Sequence, residues 1–302
     1  MTTTTIPDLK DLLRSAQLPA LPQSAIRLLE LSQNPDNGPV EFSLPIESDP
    51  GLTGQVLKFV NSSYFGFSRE INSVKLALTL VGIRTIKNFA LWSAVFSLMP
   101  NPRCGPFDLK SLWQDSLRRA LFARNFGKLL GMKDAEECFA AALLQDMAIP
   151  LLAKEIPQRY LKLFQDRAEG IERLSDLEQA NFGWTHADAA AFMCRSWSLP
   201  EEFAALVETH CKLDDLMAEK TRRPGNLAVA LSSLLPATSD KDWSDRDRFL
   251  AAFQKLAGNA GVNLLQFFTE VDKAFDEFAP VLRLTTPAKT LAQYLEEVPA
   301  AV

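Results

Sequence analysis

Residues 48–67 specify a helix together with its beginning and its end. Asp49 can accept hydrogen bonds from the free amides of a first turn, and Pro50 suits the first helical position because its φ angle is already helical. The apolar stripe that follows at helical spacing consists of Leu52, Val56, Phe59 and Val60. Gly66 can adopt the left-handed conformation that ends many helices. The segment therefore predicts an amphipathic helix that starts at Pro50 and continues towards Gly66.

Similar helical patterns recur along the whole chain, separated by segments rich in glycine and proline. The clearest separators are residues 34–39, 100–106 and 223–226. No segment alternates polar and apolar residues over a length typical of strands, so the sequence predicts an all-α multi-helix bundle. A long helix is expected from about Asp108 to about Gly131. Its small-residue stripe, formed by Ser116, Ala120, Ala123 and Gly127, favours a close approach of neighbouring helices and a place in the middle of the bundle.

Composition limits the classes of function. The chain has 302 residues, 47% of them hydrophobic, which is enough for one large domain or two small ones. A formal net charge of −5 and the lack of a basic stripe argue against direct nucleic-acid binding. The longest strongly apolar run, residues 89–99, is far shorter than the ~20 residues that span a bilayer. The first ten residues lack the form of a secretory signal, so we expect a cytoplasmic protein that does not bind membranes.

The four cysteines, at positions 104, 138, 194 and 211, include no closely spaced pair and lie among apolar residues. We expect them to be reduced and to serve as packing residues rather than as a disulfide framework or a zinc knuckle.

Two ionisable residues fall on apolar helix faces. Asp146 continues the inward-facing pattern of the segment that contains Cys138 and Ala142, and His210 continues the pattern of the helix opened by Pro200. An isolated buried carboxylate is very costly, so Asp146 needs a partner, which could be a protonated imidazole, a hydroxyl, an amide or a metal ion. No glycine-rich phosphate loop, His-Glu-x-x-His motif or nucleophile elbow offers another catalytic site.

Several blocks of the sequence resemble the HDOD family, the HD-related output domain of bacterial signalling proteins. The blocks are residues 18–31, 48–67 with an Asn-Ser-x-Tyr-Phe-Gly core at 61–66, 78–89, 112–117, 143–152 and 186–210. Together they cover roughly residues 14 to 215. The resemblance implies a bundle of the HD superfamily over residues 14–220, with an N-terminal helical half to about 105 and a degenerate HD-like half from about 106. Residues 221–302 are expected to form additional helices packed on this domain.

The resemblance also allows a comparison with metal-dependent HD phosphohydrolases, which hold a divalent ion with histidines and a His-Asp dyad. Gln145-Asp146 stands where the dyad would lie, and Asp115 stands where a helix would offer a histidine. His186 and His210 look like retained ligands. Cys211 takes the place of a second consecutive histidine. The remnant site is thus Asp115, Gln145, Asp146, His186, His210 and Cys211.

Half of the ligand pattern is therefore missing, and we expect no catalytic residues and no cofactor. The simplest role for Asp146 is a buried hydrogen-bonded pair with His186 or His210. A divalent transition metal held by Asp115, Asp146, His186 and His210 is the alternative.

Three functions follow from this comparison. The first is a non-catalytic signal-transduction module that acts through protein–protein interaction with other signalling proteins. The second is a divergent HD-type phosphohydrolase acting on a nucleotide or cyclic dinucleotide, and the third is a small-ligand sensor that uses the remnant pocket. Tyr64, Phe65 and Phe67 can form an exposed interaction surface, or they can cover the end of their own helix. The sequence does not specify the oligomeric state.

Overall fold

The computed structural model describes residues 8–297 apart from 17, 134, 170–171, 222 and 259–260. Within that part of the chain all regular structure is helical, which confirms the predicted all-α class. The helices are α1 (Leu9–Ser15), α2 (Gln23–Leu31), α3 (Pro39–Glu47), α4 (Pro50–Val60), α5 (Val74–Val81), α6 (Ile83–Leu98), α7 (Leu109–Leu129), α8 (Glu136–Leu144), α9 (Ala148–Glu155), α10 (Pro157–Glu169), α11 (Leu174–Phe182), α12 (His186–Ser196), α13 (Glu201–Glu208), α14 (Leu213–Ala218), α15 (Pro224–Ser232), α16 (Arg246–Ala257), α17 (Leu264–Phe278) and α18 (Leu291–Glu296). A short 3-10 helix, Ala279–Leu282, follows α17.

Helix α4 begins as the sequence predicts. The Asp49 carboxylate accepts a hydrogen bond from the Leu52 amide at 3.0 Å and another from the Ser24 hydroxyl at 2.9 Å. The four predicted stripe residues are all buried. The helix ends at Val60, however, and not near Gly66, which has a left-handed φ of 63° but lies in the loop beyond. The expected end of this helix was therefore wrong.

Helix α7 lies at the centre of the bundle and packs against α8, α15 and α17. It runs from Leu109 to Leu129, close to the predicted bounds. The small-residue stripe is buried, and a Cβ added at Gly127 would lie 3.2 Å from the Ala135 Cβ and 3.3 Å from the Cys138 Sγ. The missing side chain therefore permits the close contact between α7 and the chain around α8.

The N-terminal helices α2–α6 pack on one another and meet the second half through α6 and α8. At that junction the side-chain amide of Asn88 donates a hydrogen bond to the backbone carbonyl of Glu136 at 3.1 Å. The turn predicted at residues 100–106 separates α6 from α7.

The C-terminal helices lie against α7. The rings of Phe122 in α7 and Phe268 in α17 have centroids 6.2 Å apart, and Phe249 in α16 lies 5.5 Å from Phe122. Polar contacts reinforce this packing, since the Arg118 guanidinium donates to the Lys289 carbonyl at 2.8 Å. The domain boundary near residue 220 stays a prediction. Among the described residues, no helix is both long and apolar enough to cross a bilayer.

Candidate functional site

Four of the predicted site residues lie close together in what we call the histidine cluster: Asp146, His186 and His210, which are buried, and Cys211, which is partly buried. Three helix ends position them. Asp146 lies in the turn between α8 and α9, His186 is the first residue of α12, and His210 and Cys211 follow the end of α13. We had expected Asp146 and His210 to belong to their preceding helices. Both helices end earlier, so these side chains point inward from turns.

Asp146 is 2% exposed, and its strongest partner is one that the sequence analysis did not foresee. The Arg119 guanidinium on α7 donates through Nη1 to Asp146 Oδ2. Asp146 Oδ1 faces the imidazoles, 3.3 Å from His186 Nε2 and 3.5 Å from His210 Nε2. Burial alone would raise the pKa of Asp146, but Arg119 and the two histidines outweigh that effect and hold the pKa well below its usual range.

His186 is fixed by a buried carboxylate, Glu178 on α11. Its Nδ1 lies 2.6 Å from Glu178 Oε2, and its backbone amide donates to the same oxygen at 2.7 Å. The Tyr160 hydroxyl donates to Glu178 Oε1 at 2.7 Å. Burial would lower the pKa of His186, yet the Glu178 charge and other neighbours raise it well above the usual value.

His210 and Cys211 complete the cluster. His210 Nδ1 lies 2.6 Å from the Val207 carbonyl, and His210 Nε2 lies 3.1 Å from His186 Nε2. Cys211 Sγ is 3.8 Å from His186 Nε2. Despite burial, the neighbouring imidazoles lower the pKa of Cys211 to about 5, and Cys211 together with Asp146 raises that of His210 to about 9. The packing role expected for Cys211 was therefore incomplete, because its sulfur contacts the histidine cluster.

Asp115 and Gln145 make different contacts. Asp115 Oδ1 accepts a hydrogen bond from the Thr238 amide at 2.7 Å, and burial raises the pKa of the carboxyl to about 6. Gln145 is fully buried, and its side-chain amide has no hydrogen-bond partner among the described residues. The hydrogen bond of Asp115 thus joins it to the loop after α15.

The aromatic residues after α4 mostly pack inward. Tyr64 lies edge-on to Phe278 with centroids 5.3 Å apart, and Phe65 lies edge-on to Phe59 at 4.9 Å. Phe67 is 38% exposed. Two of the three side chains offered as an interaction surface are therefore half-buried against the bundle.

A second group of apolar side chains is exposed at the surface. Its members lie one turn apart on two adjacent helices: Val40 (48% exposed) and Leu44 (63%) on α3, and Leu76 (42%) and Leu80 (49%) on α5. We call these four residues the α3–α5 face. The sequence analysis did not single them out, although their i, i+4 spacing was a signal.

Arg119 and Glu178 contact the histidine cluster, and sequence reasoning identified neither of them. Arg119 lies one turn after Asp115 on α7, and Glu178 lies eight residues before His186. Chemically, the cluster places two imidazoles and a thiol within 4.8 Å of one another, and the Asp146 carboxylate lies 3.3 Å and 3.5 Å from the imidazoles, which suits the binding of a proton.

Comparisons with known proteins agree with this fold. A family model for the HDOD domain matches residues 18–213. An uncharacterized protein from Treponema pallidum (strain Nichols) is 23% identical over 244 residues, a match that covers 80% of this chain and 47% of that protein. The chain therefore spans about half the length of this curated relative.

Solved structures resemble the chain over most of its length. A candidate phosphohydrolase from Shewanella amazonensis SB2B has a TM-score of 0.69 at 22% identity, covering 90% of this chain and 97% of that one. An HDOD domain protein of unknown function from Geobacter sulfurreducens has a TM-score of 0.66 at 19% identity, covering 90% and 99%. A candidate signal transduction protein from Marinobacter aquaeolei VT8 has a TM-score of 0.65 at 20% identity, covering 91% and 64%. At these identities the likeness concerns the fold.

Proposed function

The chain belongs to the HDOD domain family, and we propose that it is a non-catalytic bacterial signal-transduction protein that acts by binding other signalling proteins. The observation that supports the non-catalytic part is the pairing of the Asp146 carboxylate with the Arg119 guanidinium. By the resemblance, Gln145 stands where the histidine of the HD dyad would lie. A hydrolytic metal site needs an open position for water and access for substrate.

Burial of the cluster supports the same conclusion. Asp146, His186 and His210 are 2%, 5% and 1% exposed. Side chains this deeply buried offer little contact area to a phosphate ester. The likeness to a candidate phosphohydrolase concerns the fold and does not restore the missing ligand.

The test of the non-catalytic part is a hydrolysis assay of the full chain with nucleotides and cyclic dinucleotides, with and without added Mn²⁺ and Zn²⁺. We expect the wild type and Asp146→Asn to show the same background rate. Turnover by the wild type that is lost in Asp146→Asn would contradict the proposal and favour the divergent phosphohydrolase.

The α3–α5 face supports the binding part of the proposal. Exposed apolar patches of a few hundred Å² often mark interaction sites on soluble proteins. The face consists of four aliphatic side chains and is small compared with the roughly 800 Å² per partner of a standard stable interface. This size suits a transient contact, and exposed aliphatic residues at i, i+4 on two packed helices suit one apolar helix of a partner protein.

A binding measurement with matched variants tests this surface. A partner captured by cross-linking is to be purified and its affinity measured by calorimetry. We expect Leu44→Glu to weaken binding at least about tenfold, which is ~1.4 kcal/mol, because a carboxylate would be buried at the contact. Leu265→Glu changes an exposed leucine on α17 and should leave the affinity unchanged. Equal affinity of all three proteins would remove the α3–α5 face from the proposal.

A further inference from the structure

The α3–α5 face carries opposite charges on its two helices. The charged residues of α3 are both acidic, Glu41 and Glu47, and the charged residue of α5 is Lys75. All three side chains are exposed. Arg84, which is also exposed, follows α5 as the second residue of α6. The face is therefore acidic along one helix and basic along the other, and both helices contribute aliphatic side chains to it.

The stability of the two helices does not explain this arrangement of charge. Glu47 is the last residue of α3, and Lys75 lies in the first turn of α5. The amide dipoles of a helix favour cations at its C-terminal end and anions at its N-terminal end, which is the reverse of what these two positions hold. A favourable role for the charges of Glu47 and Lys75 thus requires contacts outside their own helices.

A second copy of the same chain supplies a matching surface. In a two-fold symmetric contact both copies present the same patch, so each contact between two different residues occurs twice. When α3 of each copy lies on α5 of the other, each acidic helix meets a basic one. The aliphatic side chains of the two helices meet in the same contact. A partner with a single sign of charge would be attracted by one helix of the face and repelled by the other.

An open groove beside the face gives an opposing side chain a place to enter. It lies between α2 and α3, has a volume of about 430 Å³ and is lined in part by Leu31, Leu44 and Pro45. Helix α3 packs against both α2 and α5, so the groove and the α3–α5 face share this helix. In the symmetric contact, a leucine on the opposing α5 therefore enters the groove while that α5 lies along α3.

We infer that the α3–α5 face binds a second copy of this chain and forms a reversible two-fold symmetric dimer. The aliphatic patch is small compared with the roughly 800 Å² per partner of a standard stable interface, so the dimer dissociates on dilution. The dimer covers the same four aliphatic side chains that bind the helix of a partner protein. This consequence rests on the proposed function: self-association and partner binding compete for one surface, and the concentration of the chain sets how much of that surface is open.

Sedimentation equilibrium of the full chain tests the dimer without any partner protein. We expect the average mass of the wild type to rise from that of one chain towards that of two as the concentration increases to about 1 mM. Lys75→Glu and Glu47→Lys should each weaken self-association at least about tenfold, because like charges then meet in both halves of the symmetric contact. Glu202→Lys makes the same change of charge at an exposed position on α13 and should associate like the wild type.

An equimolar mixture of Lys75→Glu and Glu47→Lys is the decisive sample. Each acidic helix again meets a basic one in the mixed dimer, so the mixture should associate about as strongly as the wild type. Recovery also separates a lost contact from a lost fold, because two misfolded variants cannot restore association in each other. A wild type that stays monomeric at the highest concentration, or a dimer that both charge reversals leave unchanged, overturns the inference.

The partner captured by cross-linking gives a separate readout of the competition. Its addition should dissociate the wild-type dimer, and a complex in which the partner binds the intact dimer would overturn the competition. A monomeric wild type whose partner affinity falls in Leu44→Glu contradicts the dimer alone. A wild-type dimer whose Leu44→Glu variant keeps full affinity for the partner contradicts the proposed partner site alone.

Discussion

Asp115 and Asp146 are both buried and both interact with Arg119, yet their pKa values shift from the ordinary value in opposite directions. For Asp146 the guanidinium and the two imidazoles outweigh burial. For Asp115, burial outweighs the attraction of Arg119 and Arg118, and the pKa rises from the ordinary 3.8 to about 6. At the residue scale, the number of cationic groups that contact a carboxylate therefore decides whether burial raises or lowers its pKa.

Asp115→Asn should change how stability depends on pH. Folded Asp115 holds its proton up to about pH 6 and the unfolded chain only up to 3.8, so the folded state binds more protons between these values. Wild-type stability from this group is therefore lost as pH rises through that window, by about 3 kcal/mol in total. The substituted amide does not ionise and can still accept the Thr238 amide hydrogen bond. We expect the stability of the variant relative to wild type to rise by about 2 kcal/mol between pH 4 and pH 7, measured by urea unfolding.

Asp36→Asn serves as the matched control, because it removes one negative charge from an exposed position. Its stability relative to wild type should stay nearly constant over the same pH range. If Asp115→Asn behaved like this control, the carboxyl would ionise in the folded state at an ordinary pH.

The acidic and imidazole members of the histidine cluster could be predicted from the sequence. Their basic neighbour, Arg119, could not. Asp146 and His210 interrupt apolar patterns, which is a local signal of an inward-facing polar group. Arg119 gives no such signal, because an arginine on an amphipathic helix usually lies at the surface. Its burial depends on carboxylates and helices brought together only by the fold. Composition and spacing predicted only a packing role for the Cys211 thiol, whereas the resemblance placed Cys211 in the remnant site.

At the scale of a single element, the side chain of Asn61 explains why α4 ends before Gly66. Its Nδ2 donates to the carbonyls of Leu57 and Ile71, at 2.8 and 2.7 Å, and its Oδ1 accepts from the Ile71 amide at 2.7 Å. These bonds fasten the last turn of the helix to the segment that leads into α5. The start of α4 was predictable because a cap and a proline act locally. The end was not, because it depends on a residue ten positions away.

Asn61→Ala should destabilise the fold by about 1 kcal/mol, because the backbone groups of Ile71 lose two part-buried hydrogen bonds. Asn61→Asp keeps the acceptor for the Ile71 amide but directs a carboxylate at two carbonyls, so we expect it to be no more stable than Asn61→Ala. The exposed neighbour Ser63→Ala should change stability by less than about 0.5 kcal/mol. Chemical denaturation of the three variants measures these differences, and equal stabilities of Asn61→Ala and Ser63→Ala would show that the bonds contribute nothing.

At the scale of the whole molecule, α15 connects the two parts that the sequence analysis separated near residue 220. It packs against α7, α8 and α13, and five successive residues, Leu227–Leu231, are buried. A helix that is apolar on every side lies inside a core. The family match ends at residue 213, before this helix begins. Pattern reasoning predicted the class of fold and the packing rhythm of the C-terminal helices, but the contacts of α15 are long-range and leave no local mark.

Removal of residues 221–302 should therefore abolish cooperative folding rather than release a stable domain. The deletion would uncover the fully buried Phe122 and take away the carbonyl partners of Gln114 and Arg118 on α7. Exposed aromatic surface and unpaired buried polar groups both destabilise a fold, whose total stability is typically only about 5–15 kcal/mol. A chain of residues 1–297, which keeps α15 to α18, is the matched control and should unfold like the wild type. Thermal unfolding followed by circular dichroism compares the two, and a sharp wild-type-like transition of the 1–220 chain would show that the boundary near residue 220 separates an independent folding unit.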